Sequence, residues 1–195
     1  MIVIVDYDTG NLRSVENSLK RLGADYRVSS DPAVIAGAGR VILPGVGEAA
    51  TAMQNLKIRG LTEVIPSLRQ PVLGICIGLQ LMCRSSEEGQ AECLGIFDTE
   101  VTRLTGAGPD LKIPHMGWNT IAHSGSPLLR GIGEGEFVYY VHSYAPGLCR
   151  GTIATTEYGR TFSAAISRDN FFGTQFHPEK SGTVGERVMK NFLTL

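Results

Sequence analysis

The 195-residue sequence holds four cysteines, Cys76, Cys83, Cys93 and Cys149, and no two of them stand at C-x-x-C spacing. No histidine lies at a metal-finger distance from them, so no metal site is expected. Charge of either sign is scarce in excess: 18 Lys plus Arg face 19 Asp plus Glu, a formal net charge of −1. So balanced a field draws neither nucleic acid nor an anionic membrane. The opening MIVIVDYDTG breaks its apolar run at Asp6, too early for a signal peptide, and no later run reaches bilayer length. These absences point to a cytoplasmic chain with reduced thiols, acting on small molecules or on other proteins. With 43% hydrophobic residues, a chain of this length can bury a full core.

What is present alternates. In the first half MIVIV, RVILPG and QPVLGIC are short β-branched runs that read as buried strands. NLRSVENSLKRLG carries Leu12, Val15, Leu19 and Leu22 at helical spacing and stops at Gly23. Strand–helix alternation predicts an α/β fold with a mainly parallel central sheet flanked by helices. After Gly95 the pattern shifts to TEVTRL, EFVYYVHSY, GTIATTEY, TFSAAISR and FFGTQFHP, short strands punctuated by Gly, Pro and Asn, with TVGERVMKNFLTL as the helical segment. The second half is therefore expected to add an antiparallel portion to the main sheet. No repeat or low-complexity linker separates the halves, so residues 1–195 read as one domain.

Two segments carry candidate chemistry. GICIGLQLM, Gly74 to Met82, sets a cysteine between two glycines where an apolar run gives way to a helix. G-x-C-x-G allows a tight strand-to-helix turn, like the G-x-S-x-G nucleophile elbow, that would stand Cys76 exposed at the carboxyl edge of the sheet. Amides of the helix beginning near Gly78 would face the sulfur and favour its thiolate. A buried structural cysteine among packing glycines fits the pentapeptide equally well. Cys83 lacks that setting and reads as core. FFGTQFHPEKS supplies what a cysteine nucleophile requires: His177 follows an apolar strand, and Glu179 stands two residues on, across a proline that keeps the segment from becoming helical. In an extended segment both side chains project to one side, so Glu179 would orient the imidazole while its other nitrogen faces the sulfur. A solvated loop explains His-x-Glu alone; its pairing with G-x-C-x-G favours catalysis.

Together, GICIGLQ and FHPEKS resemble the triad glutamine amidotransferases, and the similarity runs nearly the whole chain. The resemblance implies a flavodoxin-like, class-I amidotransferase fold and a glutaminase that delivers ammonia to a synthase. Cys76 would be the nucleophile, His177 the acid and base, and Glu179 its orienter. Glutamine would be bound by the Gln80 side chain and by the backbone of Ser143 and Tyr144 in VHSY. For the oxyanion, Ile77, next after the nucleophile, offers one amide. By resemblance, the second comes from near Gly45 and Val46 in the PGVG strand. No cofactor enters this chemistry.

DYDTGNLRSV, LPGVG, PHMGWN and YYVHSYA are similar to one branch of that family, the branch serving imidazole glycerol phosphate synthases. Its partner is a (β/α)₈-barrel cyclase subunit, and Asn11, Trp118, Tyr139 and Lys180 lie in the loops that resemble the interface. Read singly, Trp118 serves as well for packing, Asn11 as a helix cap, Lys180 as a solvated lysine, and His115 or His142 as satisfied polar residues near the core. The alternatives are a glutaminase subunit for anthranilate or pyridoxal phosphate synthesis, a cysteine hydrolase or protease on a related sheet, and a non-catalytic interaction partner. A protease has no need of Gln80 with VHSY, and a non-catalytic partner has no need of an intact Cys76, His177 and Glu179.

Overall fold

Apolar runs of the first half become β1 (Ile2–Val5), β3 (Arg40–Leu43) and β4 (Val72–Ile75), joined by β2 (Tyr26–Ser29). The structure is a computed structural model, and it describes residues 1–8, 10–105 and 111–195. Thr9 of the DYDTGNLRSV segment falls outside them. β1 and β4 are buried along their whole length, which is why neither shows polar alternation. β2 lies at the sheet edge and is only half-buried, so its sequence carries no comparable signal.

Between the strands run α1 (Leu12–Arg21), α2 (Pro32–Ala36), α3 (Ala49–Ile58), α4 (Leu61–Ser67) and α5 (Ile77–Met82). α1 buries Val15 and Leu19 and ends as its sequence indicates. Gly23, at φ 65°, donates to Lys20 O at 3.0 Å, and Ala24 to Leu19 O at 3.1 Å, a Schellman closure. The helix start differs from the sequence reading. Asn11 takes φ 75° and makes no cap hydrogen bond, because its side chain is engaged elsewhere.

The second half contributes β5 (Ser85–Ser86), β6 (Ala91–Glu92), β7 (Glu100–Arg103), β8 (His115–Thr120), β9 (Ala122–His123), β10 (Phe137–His142), β11 (Tyr144–Pro146), β12 (Thr152–Tyr158), β13 (Arg160–Arg168), β14 (Phe171–Thr174) and α6 (Gly182–Phe192). The main sheet runs β2-β1-β3-β4-β14-β13-β12-β9. The pairs from β2 through β14 are parallel; β13, β12 and β9 continue it antiparallel. β8 and β10 form a separate antiparallel ribbon, and β11-β7-β5-β6 a small sheet.

β14 decides where the chemistry lies. Instead of staying with the antiparallel strands, it inserts beside β4, pairing Phe171–Thr174 with Val72–Ile75 in parallel. β3 flanks β4 on the other side, with Leu43 opposite Gly74. Three neighbouring strands therefore deliver the segments beginning at Pro44, Cys76 and Gln175 to one carboxyl edge, where open parallel sheets bind their ligands.

The two glycines of G-x-C-x-G serve close packing. A Cβ on Gly74 would sit 2.4 Å from the Met82 side chain and 2.7 Å from the Gly78 backbone, and one on Gly78 would sit 1.8 Å from Leu43 O. Without them α5 could not lie against β3 and β4. PGVG departs from the sequence reading, since β3 ends at Leu43 and residues 44–47 are irregular. Pro44 has no N–H to extend a ladder, and Gly47 turns through φ 106°. Gly45 has no positive φ; it is glycine because a Cβ would meet Tyr7 Oη at 2.5 Å and Ile77 Cβ at 2.9 Å.

Gly78→Ala is expected to lower stability by at least about 2 kcal/mol, since its methyl meets backbone rather than a movable side chain. Urea unfolding followed by circular dichroism checks this; an unchanged midpoint would show that α5 can shift freely.

Candidate active site

Cys76 bridges β4 and α5. Its N–H donates to Thr174 O at 2.8 Å, and its carbonyl accepts from the Gln80 N–H at 3.1 Å. Holding both bonds leaves it at φ 54°, ψ −107°, a conformation that costs an L-residue on the order of 1–3 kcal/mol. The elbow forms, with the strain on the cysteine rather than on its glycines. Cys76 is not exposed as expected: only 3% of it is accessible. Strand β10 covers it, and the Val141 carbonyl accepts from Sγ at 3.9 Å.

Phe176 and His177 follow the end of β14. The His177 N–H donates to Tyr139 O at 2.9 Å, anchoring it to the ribbon. Pro178–Lys180 form a 3₁₀ turn, not the extended segment expected from the proline. Proline is well suited to a first helical position, where its missing N–H has no partner to lose. Glu179 still reaches back, its Oε1 accepting from His177 Nδ1 at 2.8 Å, and Asn11 Nδ2 donates to the same oxygen at 2.7 Å. Both ring and carboxylate side chains are fully buried.

Electrostatics assigns the protons. Burial opposes charge on His177, but negative charge on Cys76 and the Glu179 hydrogen bond outweigh it and push the imidazole up to about 10. Burial likewise opposes the Glu179 carboxylate, but His177 and Asn11 hold it below its ordinary range. The other imidazole nitrogen, Nε2, is buried and has no hydrogen-bond partner of regular geometry among the described residues.

Beside the sulfur lies a pocket of about 180 Å³ lined by Val46, Gly47, Ile77, Gln80, Glu88 and the 141–144 segment. Of the three residues named for the oxyanion, Val46 and Ile77 line it, while Gly45 packs against Tyr7, whose hydroxyl donates to Pro44 O. Gln80 is buried, its Nε2 donating to Tyr144 O and to Gln175 Oε1, both at 3.0 Å, while its Oε1 has no partner among the described residues. Ser143 O accepts from Leu104 N–H at 2.8 Å and Tyr144 O from Gln80, so both carbonyls are engaged inside the protein.

Sequence reasoning missed Gln175 and Glu88. Gln175 is fully buried, with Nε2 3.6 Å from Cys76 Sγ. Glu88 lines the pocket while accepting from Ala49 N–H at 3.1 Å. A polar residue before His177 and an acidic turn gave no signal of either contact.

His142 and His115 form a buried chain behind the pocket. His142 Nδ1 lies 2.8 Å from Tyr144 O and must donate to it. Its Nε2 therefore accepts from His115 Nδ1 at 3.0 Å, and Asn119 Nδ2 lies 3.3 Å from His115 Nε2. Every nitrogen has one role only if both rings are neutral.

Among the expected interface residues, Trp118 pairs with Tyr139 across the β8–β10 ribbon, their rings 5.9 Å apart. Trp118 is 55% exposed and shares the outer face with Met116 and Phe137. Lys180 is exposed. Asn11 instead turns inward to Glu179. A larger hollow of about 670 Å³, lined by Phe97, Cys149 and Arg168 among others, includes none of the candidate residues. Among the described residues no helix is long and apolar enough to cross a membrane, and no His, Cys, Asp or Glu group is arranged to hold a metal.

Comparison with known proteins gives the family. The model of a family described as glutamine amidotransferase class-I matches residues 3–195. Imidazole glycerol phosphate synthase subunit HisH of Bacteroides thetaiotaomicron is 54% identical over 194 residues, spanning 100% of this chain and 99% of its own. The protein of the same name from Yersinia pestis is 50% identical over 196 residues, with the same coverage. A glutamine amidotransferase of known crystal structure superposes with TM-score 0.74 at 20% identity, covering 100% of this chain and 98% of that one. That likeness bears on fold alone.

The histidine chain makes a pH prediction. Burial pushes His142 down to about 3 and His115 down to about 4, from 6.5. Below 6.5 the unfolded chain binds protons that the folded chain excludes, so the stability contribution is complete above that pH and is lost as pH falls toward the folded values. The urea midpoint should fall between pH 6.5 and pH 4.5, roughly the onset of carboxylate titration. His115→Gln should flatten that slope; an identical slope would mean the pair takes up protons without cost.

Proposed function

The chain belongs to the class-I glutamine amidotransferase family, and from that premise we propose that it is the glutaminase subunit of an imidazole glycerol phosphate synthase, hydrolysing glutamine at Cys76. Full-length identity of 50–54% to proteins named HisH supports the assignment. The observation that carries the chemistry is the buried His177: one nitrogen is held by Glu179 and the imidazole is polarised by Cys76.

Glutamine enters the pocket beside Gln80. Gln80 Oε1, unpartnered among the described residues, and the Glu88 carboxylate lining the pocket are acceptors suited to its α-ammonium group. With the Cys76 proton already held on the His177 imidazole, Sγ attacks the side-chain carboxamide carbon. The carbonyl electron pair moves to oxygen, where the Ile77 and Val46 amides receive it, each worth about 3 kcal/mol to the transition state. As the C–N bond breaks, His177 returns the proton to the leaving nitrogen and ammonia departs. A γ-glutamyl thioester remains. Water then attacks it, His177 takes the water's proton, and glutamate leaves as the thiolate is expelled.

Ammonia released into water near pH 7 would be protonated and lost as a nucleophile, so the acceptor site must adjoin this one. The exposed Met116, Trp118 and Phe137 face is suited to the docking of a cyclase subunit, with Lys180 beside the catalytic turn. Four free thiols suit a cytoplasmic enzyme.

Cys76→Ala should abolish glutamate release by the complex with the cyclase subunit, while product still forms from added ammonium salts. Undiminished glutamine turnover would overturn the assignment, and loss of both activities in a folded complex would contradict the division of labour. Glu179→Gln should lower kcat at least ~10-fold and His177→Ala further, since one disturbs orientation and the other removes the proton carrier. Steady-state kinetics checks the order; a reversal would contradict the roles.

A further inference from the structure

We propose that Gln175 is a catalytic residue of this site: its side-chain N–H stabilises the Cys76 thiolate and links the sulfur, through Gln80, to the substrate pocket. The inference rests on the glutaminase reading above and deepens it.

Atom identities in the two carboxamides follow from one fixed point. Tyr144 O is a backbone carbonyl and can only accept, so the Gln80 atom 3.0 Å from it is the NH₂ group. That same nitrogen lies 3.0 Å from the Gln175 carboxamide, whose facing atom must then be oxygen. The remaining Gln175 atom, 3.6 Å from Cys76 Sγ, is therefore NH₂. An N–H aimed at sulfur is indifferent to a thiol and strongly favourable to a thiolate, because a hydrogen bond to an ion is about twice as strong as one between neutral groups. Val141 O, which accepts from Sγ at 3.9 Å, has the opposite preference. When Cys76 passes its proton to His177, the Val141 contact is lost and the Gln175 contact strengthens.

The Gln175 backbone is satisfied without the side chain. Its backbone N–H already pairs with Ala164 O at 2.8 Å, and its side chain is fully buried, where an apolar residue would cost nothing in desolvation. At the far end of the chain, Gln80 Oε1 is buried and unpartnered among the described residues, and Gln80 lines the pocket. A ligand N–H bound to that oxygen polarises the Gln80 amide. Its N–H then donates more strongly to Gln175, which donates more strongly to sulfur, as hydrogen bonds in series do. Filling the pocket thereby favours the nucleophilic form of the cysteine.

The test is the pH dependence of iodoacetamide alkylation, read on the Cys76 peptide by mass spectrometry so that the other three cysteines do not contribute. His177 with Glu179 behind it, and His142 and Glu88 around the pocket, are unchanged across the variants. Gln175→Met, which keeps volume and removes the N–H, should move the Cys76 midpoint upward by about one pH unit, a tenfold change in the thiol–thiolate ratio. In the complex with the cyclase subunit it should lower kcat about tenfold and leave KM within about twofold. Should Gln175→Met fail to fold by circular dichroism, Gln80→Met cuts the chain one link upstream and should move the midpoint the same way by about half as much. A folded Gln175→Met with the parent's midpoint and kcat overturns the proposal, as does a folded Gln80→Met with the parent's midpoint where it is the variant used. Failure of the parent complex to release glutamate would overturn the glutaminase reading instead, whatever the alkylation midpoints show.

Discussion

The hydrogen bond from the Cys76 amide to the Thr174 carbonyl, at 2.8 Å, is the contact on which the site depends. It extends the β4–β14 pairing one step beyond Ile75 and Thr174, so Cys76 and Gln175, 99 positions apart, leave the sheet side by side. From there Cys76 must turn at once into α5, and that turn needs a positive φ at the cysteine and two glycines to let the helix descend onto β3. Gln175 leaves β14 beside Cys76, and His177, two residues further on, is tied to Tyr139 on the ribbon. The placement of Cys76 and His177 is thus set by backbone, and the side chains have little room to depart from it.

Around that backbone the interior drives His177 and His142 into opposite states. His177, against Cys76 and Glu179, is pushed up to about 10; His142, against a backbone carbonyl and another imidazole, is pushed down to about 3. Burial alone favours the neutral ring in both cases, and the neighbouring charge decides the difference. The Tyr144 carbonyl is the meeting point, holding His142 on one side and Gln80 on the other. Its fixed polarity orders both hydrogen-bond chains.

Much of this was legible in the sequence, for physical reasons that differ by element. β1 and β4 are wholly buried and so appear as unbroken apolar runs, and α1 shows its buried face and its glycine stop plainly. G-x-C-x-G and H-x-E were readable because the local chain must bring their members together. Distant pairing was not. Nothing near Asn11 indicates that it reaches Glu179, 168 residues away, and nothing near Gln175 indicates that it touches Cys76. The exposure expected of Cys76 failed for the same reason, since β10, which covers it, comes from the other half of the chain. Gly45 is glycine because of crowding, and in sequence a glycine chosen for crowding looks the same as one chosen for flexibility.

Trapping the acyl-enzyme shows directly whether this sheet edge makes Cys76 the nucleophile. The complex with the cyclase subunit, loaded with its nucleotide ligand, is mixed with glutamine, quenched in acid within a turnover, and digested for mass spectrometry. A γ-glutamyl group is expected on Cys76 and none on Cys83, Cys93 or Cys149. Sustained glutamate release with Cys76 unmodified throughout, or the adduct on one of the other three, would contradict it.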